Sequence, residues 1–295
     1  MHAGVLLVDK PGGMTSHDVV ARARKALGTR KIGHAGTLDP MATGLLILGV
    51  EGATRLLTYL VGLDKTYLAT IRLGARTTTD DAEGEITDAA AGLLEAVDDA
   101  RIAAGVAALT GAISQVPSTV SAIKVNGRRA YDLARSGEQV ELAARQVTVS
   151  RFEVLATRRS AEAIDLDVVV DCSSGTYIRA LARDLGDDLG VGGHLTALRR
   201  TRIGRFDVAE ALPPEAIDPA LLLAPADVAE RAVGRIDVTT DEARDLRHGK
   251  RLEGAADRLP GPIAAAVDPD GRLVGIVEPR GAALKSVMNM PEGTG

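Results

Sequence analysis

The sequence contains a single cysteine, Cys172, among 295 residues, and it contains no tryptophan. One thiol cannot form an intrachain disulfide or an all-cysteine metal site. Aromatic residues account for 2% of the chain, too few for an extended surface on which nucleic-acid bases stack. The apolar runs are far shorter than the roughly 20 residues that cross a bilayer, and the N-terminus lacks the apolar run of a signal peptide. We therefore expect a cytoplasmic protein with no membrane partner and no metal.

The charge distribution is uneven along the chain. The net charge is -5, from 35 basic and 40 acidic residues, which argues against a protein that coats nucleic acid with its whole surface. Basic residues cluster at 22–31 and 199–205, in stretches without acids that suit phosphate groups. Acidic residues cluster between Asp80 and Asp99 with no base among them. We interpret this acidic run as a solvated face of the protein rather than a site.

Hydrophobic periodicity predicts strands and helices in alternation. Helices are expected where apolar residues share a face after a capping residue, namely after Thr15 or Ser16, after Asp99 and over 176–189. A short helix is expected over 53–61, and 30–44 is expected to be a loop because it is polar and rich in glycine. Strands are predicted over 4–9, 45–50, 65–73, 146–155 and 163–171. Strands followed by helices, with hairpins between them, predict an α+β fold with a mixed sheet.

The chain is long enough for one large domain and one small one. Four prolines between 213 and 225 mark a linker. Beyond it, 263–267 and 272–277 flank a turn sequence and predict a hairpin. We therefore expect a catalytic domain over 1–228 and a β-rich C-terminal domain over 229–295, and we expect a turn-rich, basic insertion within the first at about 115–145.

The chain lacks the short motifs of the commonest enzyme sites. It has no phosphate-binding loop, no dinucleotide-binding glycine motif, no zinc-protease helix motif and no nucleophile elbow. Its five histidines are scattered without metal-ligand spacing. Nucleotide hydrolysis, dinucleotide chemistry, zinc catalysis and a serine triad therefore have little support.

The loop from Gly33 to Gly44 is the first candidate site. Its glycines permit unusual backbone angles and a close approach of a ligand to the main chain. Asp39 lies between the apolar Leu38 and Pro40, and Pro40 has no backbone donor. A carboxylate placed in this way can act as a nucleophile or a base. The alternative, equally open on these residues alone, is that Asp39 and Pro40 only begin a turn.

The second candidate runs from Asp171 to Gly186, where a strand ends and a helix begins. Main-chain donors at the helix start and the guanidinium of Arg179 would lie near the end of the strand. Arg179 could pair with a carboxylate from the first loop. From these residues alone, an ordinary surface ion pair with Asp184 or Asp187 is the favoured interpretation.

Several segments together resemble one family. They are Lys10–Asp18, His34–Gly44, Lys65–Tyr67, Ser121–Gly127, Cys172–Gly186 and Leu198–Thr201. The matching motifs occur in the family's order between residues 4 and 206. Through these segments the sequence closely resembles the TruB class of tRNA pseudouridine synthases.

The resemblance implies an isomerase that acts on uridine 55 in the T loop of tRNA. Such an enzyme breaks the bond between C1' and N1, turns the uracil and rejoins it through C5, without a cofactor or a metal. It also implies a monomer whose catalytic domain has a mainly antiparallel sheet of pseudouridine-synthase type. The C-terminal domain resembles the small β-barrel PUA domain in size and strand pattern only. A non-catalytic RNA-folding protein that uses the same surface is the alternative.

The resemblance also implies roles for three catalytic residues. Asp39 is the essential carboxylate, which attacks either the sugar or the base. Tyr67 stacks on the target uracil, although its position on the apolar face of a predicted strand also fits a core tyrosine. Arg179 pairs with the aspartate and keeps it ionised.

Further residues are expected to bind the RNA. By the resemblance, His34 fills the space that the flipped nucleotide vacates, and Lys10 is a basic residue near the site. Tyr177 and Leu198 wall the uracil pocket, although either could equally be ordinary packing. The insertion resembles the family's thumb, whose Lys124, Arg128 and Arg129 would contact phosphates. The chain departs from the family after Pro117, where Ser118, Thr119 and Val120 replace a proline and an aromatic residue.

Overall fold

The computed structural model describes residues 3–118, 124–125, 128–129 and 142–291. The α-helices are α1 Ser16–Leu27, α2 Leu57–Val61, α3 Asp99–Ala108, α4 Ile178–Asp188, α5 Pro225–Val233 and α6 Thr240–Arg247. The strands are β1 Gly4–Lys10, β2 Ile32–Ala35, β3 Thr43–Val50, β4 Lys65–Leu73, β5 Ala75–Thr77, β6 Ile86–Ala89, β7 Gly111–Gln115, β8 Lys124–Val125, β9 Arg128–Arg129, β10 Arg145–Arg159, β11 Ile164–Cys172, β12 Gly193–Ile203, β13 Phe206–Asp207, β14 Arg235–Asp237, β15 Ala264–Val267, β16 Leu273–Arg280 and β17 Ala283–Asn289.

The chain forms two compact units. The first comprises Met1–Pro40, Gly44–Leu63 and Arg202–Gly295, and the second comprises Met41–Thr43 and Asp64–Thr201. The chain therefore changes unit inside the candidate loop, directly after Pro40. The predicted domain boundary at 228 stays a prediction, and α5 runs across it without a break.

In the first unit, β1 and β2 both pair antiparallel with β3. Helix α1 begins where Thr15 and Asp18 form a capping box, and it ends at Gly28, whose φ of 64° suits glycine. Val19, Ala23 and Leu27 form its buried face, which packs on alternate residues of β1 and β3. This packing positions the loop that follows α1.

The C-terminal part of the first unit has its own sheet, with the strand order β14-β15-β16-β17. Strand β15 pairs parallel with β14 and antiparallel with β16. Asp268 closes the hairpin between β15 and β16, because its side chain accepts the backbone N–H groups of Asp270 and Arg272. The predicted hairpin and the β-rich character of this region are confirmed.

The second unit is built on strands in the order β12-β4-β11-β10-β7. Strand β4 pairs antiparallel with β11 along its whole length, and β11 pairs antiparallel with β10. Helix α4 contributes Leu181 and Leu185 to the buried core of this unit. The predicted α+β class, with mainly antiparallel strands, is confirmed.

Four predicted elements differ from the structure. Asp99 was expected to cap the helix that follows it, but Asp98 is the cap and Asp99 is the first residue of α3. The expected loop at 30–44 contains β2. The expected helix at 53–61 is a 3-10 helix over Glu51–Leu56 followed by α2. Helix α4 begins at Ile178, two residues later than expected, because Thr176 still belongs to the turn after β11: its N–H and its hydroxyl both donate to the Ser173 carbonyl.

No helix among the described residues is long and apolar enough to cross a membrane.

Candidate active site

Asp39 lies on a loop that is fixed on both sides. The Ser16 hydroxyl accepts the N–H of Leu38 at 2.9 Å and donates to the Leu38 carbonyl at 3.1 Å. The Pro40 carbonyl accepts the N–H of Gly13 at 2.9 Å and the ammonium of Lys10 at 3.2 Å. Asp39 between them is half-buried. The loop is therefore held by specific side chains as well as by its own backbone geometry.

Lys10 is fully buried, and its ammonium also donates to the carbonyls of Pro11 and Met14. Three carbonyls around one ammonium satisfy the donors of a buried lysine. The structure therefore gives Lys10 a positioning role for the Asp39 loop. Its contact with RNA stays a prediction.

His34 lies on β2 opposite Leu48 of β3 and is half-buried. The imidazole rings of His34 and His17 pack edge to face, with ring centroids 5.5 Å apart. His17 belongs to α1, directly after Ser16. The same helix start therefore contacts both the Asp39 loop and His34.

Tyr67 lies on β4, where it is 7% exposed and faces Val170 across the strand pair. Lys65, two residues earlier on the same face, is also buried. Burial, together with the nearby Arg200 guanidinium, lowers the pKa of Lys65 to about 8. Burial raises the pKa of Cys172, the partner of Lys65 on β11, to about 11. Lys65 was assigned no site role from the sequence, because lysine is usually a surface residue.

Leu198 lies buried on β12, which runs along β4. The hydroxyl groups of Thr196 and Thr201 donate to the carbonyls of Thr70 and Thr66, each at 3.3 Å. Leu198 therefore lies in the part of β12 alongside Tyr67. Its own carbonyl accepts the Thr43 hydroxyl at 3.5 Å, four residues after Asp39 in sequence.

Arg179 is buried at the start of α4, with its side chain 4% exposed. Its guanidinium donates to the Thr79 carbonyl at 2.8 Å and lies 3.3 Å from a carboxylate oxygen of Asp81, which is equally buried. The other oxygen of that carboxylate accepts the Thr79 hydroxyl at 2.6 Å and the N–H of Glu83 at 3.1 Å. A buried ion pair of this kind fixes the guanidinium in one place.

This geometry corrects two sequence interpretations. The acidic run is not wholly a solvated face, since Asp81 within it is buried beside Arg179. Arg179 forms its buried pair with Asp81, whereas Asp184 pairs with Arg183 and Asp187 pairs with Arg76. The predicted pair between Arg179 and Asp39 stays a prediction.

Tyr177 is the N-cap residue of α4 and is half-buried. In the insertion, Lys124 pairs with Arg129 and Val125 pairs with Arg128 in a short antiparallel ladder. The two residues between these strands, and the side chains of Lys124, Arg128 and Arg129, lie outside what the structure describes. Their contact with phosphates stays a prediction.

Among the described residues, no group of three or more His, Cys, Asp or Glu side chains could hold a metal ion.

Three family models cover most of the chain. The N-terminal domain of TruB family pseudouridylate synthase matches residues 24–178. The C-terminal domain of tRNA pseudouridylate synthase B matches 179–239, and the C-terminal model of tRNA pseudouridine synthase II matches 234–291.

Close relatives and a solved structure agree with these matches. The chain is 59% identical over 292 residues to tRNA pseudouridine synthase B of Leifsonia xyli subsp. xyli, covering 98% of this chain and 97% of the relative. It is 61% identical over 287 residues to the protein of the same name from Nocardia farcinica, covering 96% and 92%. A chain of an H/ACA ribonucleoprotein bound to a substrate RNA containing 2'-deoxyuridine aligns with a TM-score of 0.70 at 24% identity, covering 99% and 86%.

The motifs, the family models and the curated relatives define a pseudouridine synthase, an isomerase of RNA uridines. Within that class, the chain belongs to the TruB family of tRNA pseudouridine synthases. Membership in this family favours the isomerase over the non-catalytic RNA-folding alternative.

Proposed function

We propose that this isomerase converts uridine 55 in the T loop of tRNA to pseudouridine, with the Asp39 carboxylate as the essential group and without a cofactor. The observation that carries the proposal is the fixed Asp39 loop. Ser16 and Lys10 hold the residues on each side of a half-buried carboxylate. A carboxylate that reacts with a nucleoside has to be preorganised in this way, because small displacements of a reacting group are costly in rate.

Arg179 serves in the proposal as the partner of Asp39. Asp81 and the Thr79 carbonyl hold its guanidinium in place at the start of α4. An opposite charge beside Asp39 would keep that carboxylate ionised and therefore reactive.

The uracil in the proposal lies against Tyr67, Tyr177 and Leu198. Tyr67 and Leu198 are on neighbouring strands, and Tyr177 stands two residues before Arg179. A uridine inside a folded T loop cannot reach a carboxylate, so the nucleotide has to leave its stack. We assign His34 to the space that it vacates.

Binding of the T arm is proposed to rest on phosphate contacts from Lys124, Arg128 and Arg129 of the insertion, with the C-terminal sheet as a second RNA-binding part. Affinity that depends on phosphate contacts falls as salt rises, because bound counterions are released. We also propose that the protein acts as a monomer in the cytoplasm.

The test is release of tritium from a T-arm RNA hairpin labelled at C5 of its uridines. Isomerisation joins C5 to the sugar and therefore frees that hydrogen, whereas binding or refolding does not. The wild-type protein is expected to release the tritium of one uridine per RNA, and a hairpin with cytidine at position 55 is expected to release none. Full release from the cytidine hairpin would refute the position, and no release from either would refute the activity on this arm.

A further inference from the structure

The last residue of β7, Gln115, has a side chain that reaches across to the start of α4. Gln115 is fully buried. Its amide oxygen accepts the N–H of Tyr177 at 2.9 Å, and its amide nitrogen donates to the carbonyl of Tyr177 at 3.1 Å. One side chain thus satisfies both backbone groups of Tyr177.

The Tyr177 backbone needs an outside partner because of its position. Tyr177 is the N-cap residue of α4, and its own side chain makes no capping hydrogen bond. The N–H groups at a helix start have no partner within the helix. The Tyr177 carbonyl accepts the N–H of Leu181 at 3.2 Å as the first bond of the helix, so the Gln115 amide adds a second donor to it.

Two residues at the start of α4 belong to the proposed site. Tyr177 itself is the expected wall of the uracil pocket, and Arg179 lies two residues further along. A shift of the Tyr177 backbone would therefore move both side chains together. The two bonds from Gln115 restrict such a shift, because the N–H and the carbonyl of Tyr177 are both held by the same side chain.

Gln115 also stands at the base of the insertion. It pairs with Arg145 across β7 and β10, so the insertion leaves and re-enters the sheet at this residue pair. The next residue, Val116, accepts a hydrogen bond from Arg183 of α4 at 2.7 Å. The side chains of Gln115 and Arg183 thus attach the root of the RNA-binding insertion to the first two turns of α4.

We propose that Gln115 is a positioning residue for the isomerisation, which holds the Tyr177–Arg179 segment in the reactive arrangement through its two hydrogen bonds to Tyr177. The inference rests on the proposed function of that segment. Gln115 does not touch the reacting atoms in this scheme, so its removal should slow the reaction of bound RNA without a comparable loss of RNA affinity.

Gln115→Glu keeps the bond that the Gln115 side chain accepts and makes the bond that it donates depend on pH. A neutral carboxyl group can reproduce both, since its carbonyl accepts and its O–H donates. An ionised carboxylate accepts only, and it places negative charge against the Tyr177 carbonyl. At a fully buried position the neutral form is favoured, which moves the titration of the new carboxyl toward neutral pH. The variant should therefore regain activity as pH falls.

The chain offers a matched control. Gln146 lies on the neighbouring strand β10, paired with Ser114, and its side chain is exposed. Gln146→Glu makes the same chemical change one residue pair away, without a buried bond to lose. Gln115→Met removes both bonds with a side chain of similar length and has no group to titrate.

The measurement is the single-turnover rate of tritium release at saturating protein, from pH 6 to pH 8.5. At saturating protein all of the RNA is bound, so the rate constant reports the alignment of the site in folded protein. The folded fraction of each variant is measured separately by circular dichroism at each pH. Relative to Gln146→Glu, we expect Gln115→Glu to be slower by about tenfold or more at pH 8.5, with the gap closing toward pH 6. Gln115→Met should be slow by about the same factor at every pH.

Each outcome decides the inference. Equal rate constants for Gln115→Glu and Gln146→Glu at every pH, or a wild-type rate constant for Gln115→Met, would overturn it while the proposed function stands. If Gln115→Glu is unfolded at high pH, its rate constant at pH 6 and that of Gln115→Met are compared with wild type. Absence of release by the wild-type protein is the failure of the proposed function, and the inference then falls with it.

Discussion

The buried ion pair between Arg179 and Asp81 makes a strong prediction for the variant Asp81→Asn. Asparagine has the shape of aspartate, so the bonds from the Thr79 hydroxyl and the Glu83 N–H can persist at its amide oxygen. The guanidinium, in contrast, loses its negative partner at 3.3 Å while remaining buried. Breaking one side of a buried pair typically costs about 3–5 kcal/mol.

We therefore expect Asp81→Asn to lose about 3 kcal/mol of unfolding free energy, which corresponds to a fall of roughly 6–12 °C in Tm. The reaction should suffer further, because Arg179, the proposed partner of Asp39, is no longer fixed in one geometry. A displacement of about 1 Å can cost about 100-fold in rate. Thermal unfolding and single-turnover tritium release, measured on the same preparation, give the two quantities.

Asp88→Asn is the control for this variant. Asp88 lies on β6 and pairs with Arg76 at 2.9 Å, but 59% of its side chain is exposed. Exposed ion pairs are worth about 1 kcal/mol or less, so this change should be nearly silent in both assays. If Asp81→Asn behaves like Asp88→Asn, the buried pair does not position Arg179 and the reasoning is refuted.

Two other variants test the packing near the site. The pKa of Lys65 is about 8 in the folded protein and 10.5 in an unfolded chain, so the unfolded state binds more protons between these values. Lys65→Met should therefore be more stable than the wild-type protein below pH 8. This advantage in unfolding free energy should shrink by at most about 3 kcal/mol as pH rises toward 10.5. Urea titrations that give the same difference at every pH would contradict this. Gly186→Ala should lose about 1–3 kcal/mol despite the better helix propensity of alanine, because the added methyl carbon would lie 2.2 Å from the Gly192 backbone. Gly62→Ala, which meets nothing within 4 Å, is its control, and equal Tm values for the two would contradict the close approach.

Local patterns were sufficient for the elements that carry the site. The face formed by Val19, Ala23 and Leu27, with a capping residue before it, correctly predicted α1. Strict alternation from Lys65 to Leu73 correctly predicted β4. Such elements are encoded within a few consecutive residues, so a single sequence reveals them.

Features that depend on distant partners were missed. Asp81 was interpreted as a surface acid because its partner, Arg179, is far away in sequence. Strand β2 was interpreted as loop because of its glycine, yet a methyl group at Gly33 would lie 2.9 Å from Leu57, so that glycine serves close packing. Lys10 and Lys65 were not expected to be buried, since burial of a lysine depends on carbonyls and strands elsewhere in the fold.

The most direct test of the account is the variant Asp39→Asn, assayed for both tritium release and RNA affinity. The carboxylate is assigned to the reaction rather than to docking, so we predict that release is abolished while the dissociation constant for the T-arm hairpin stays within about tenfold of wild type. Release at a rate near that of the wild-type protein would contradict the central claim.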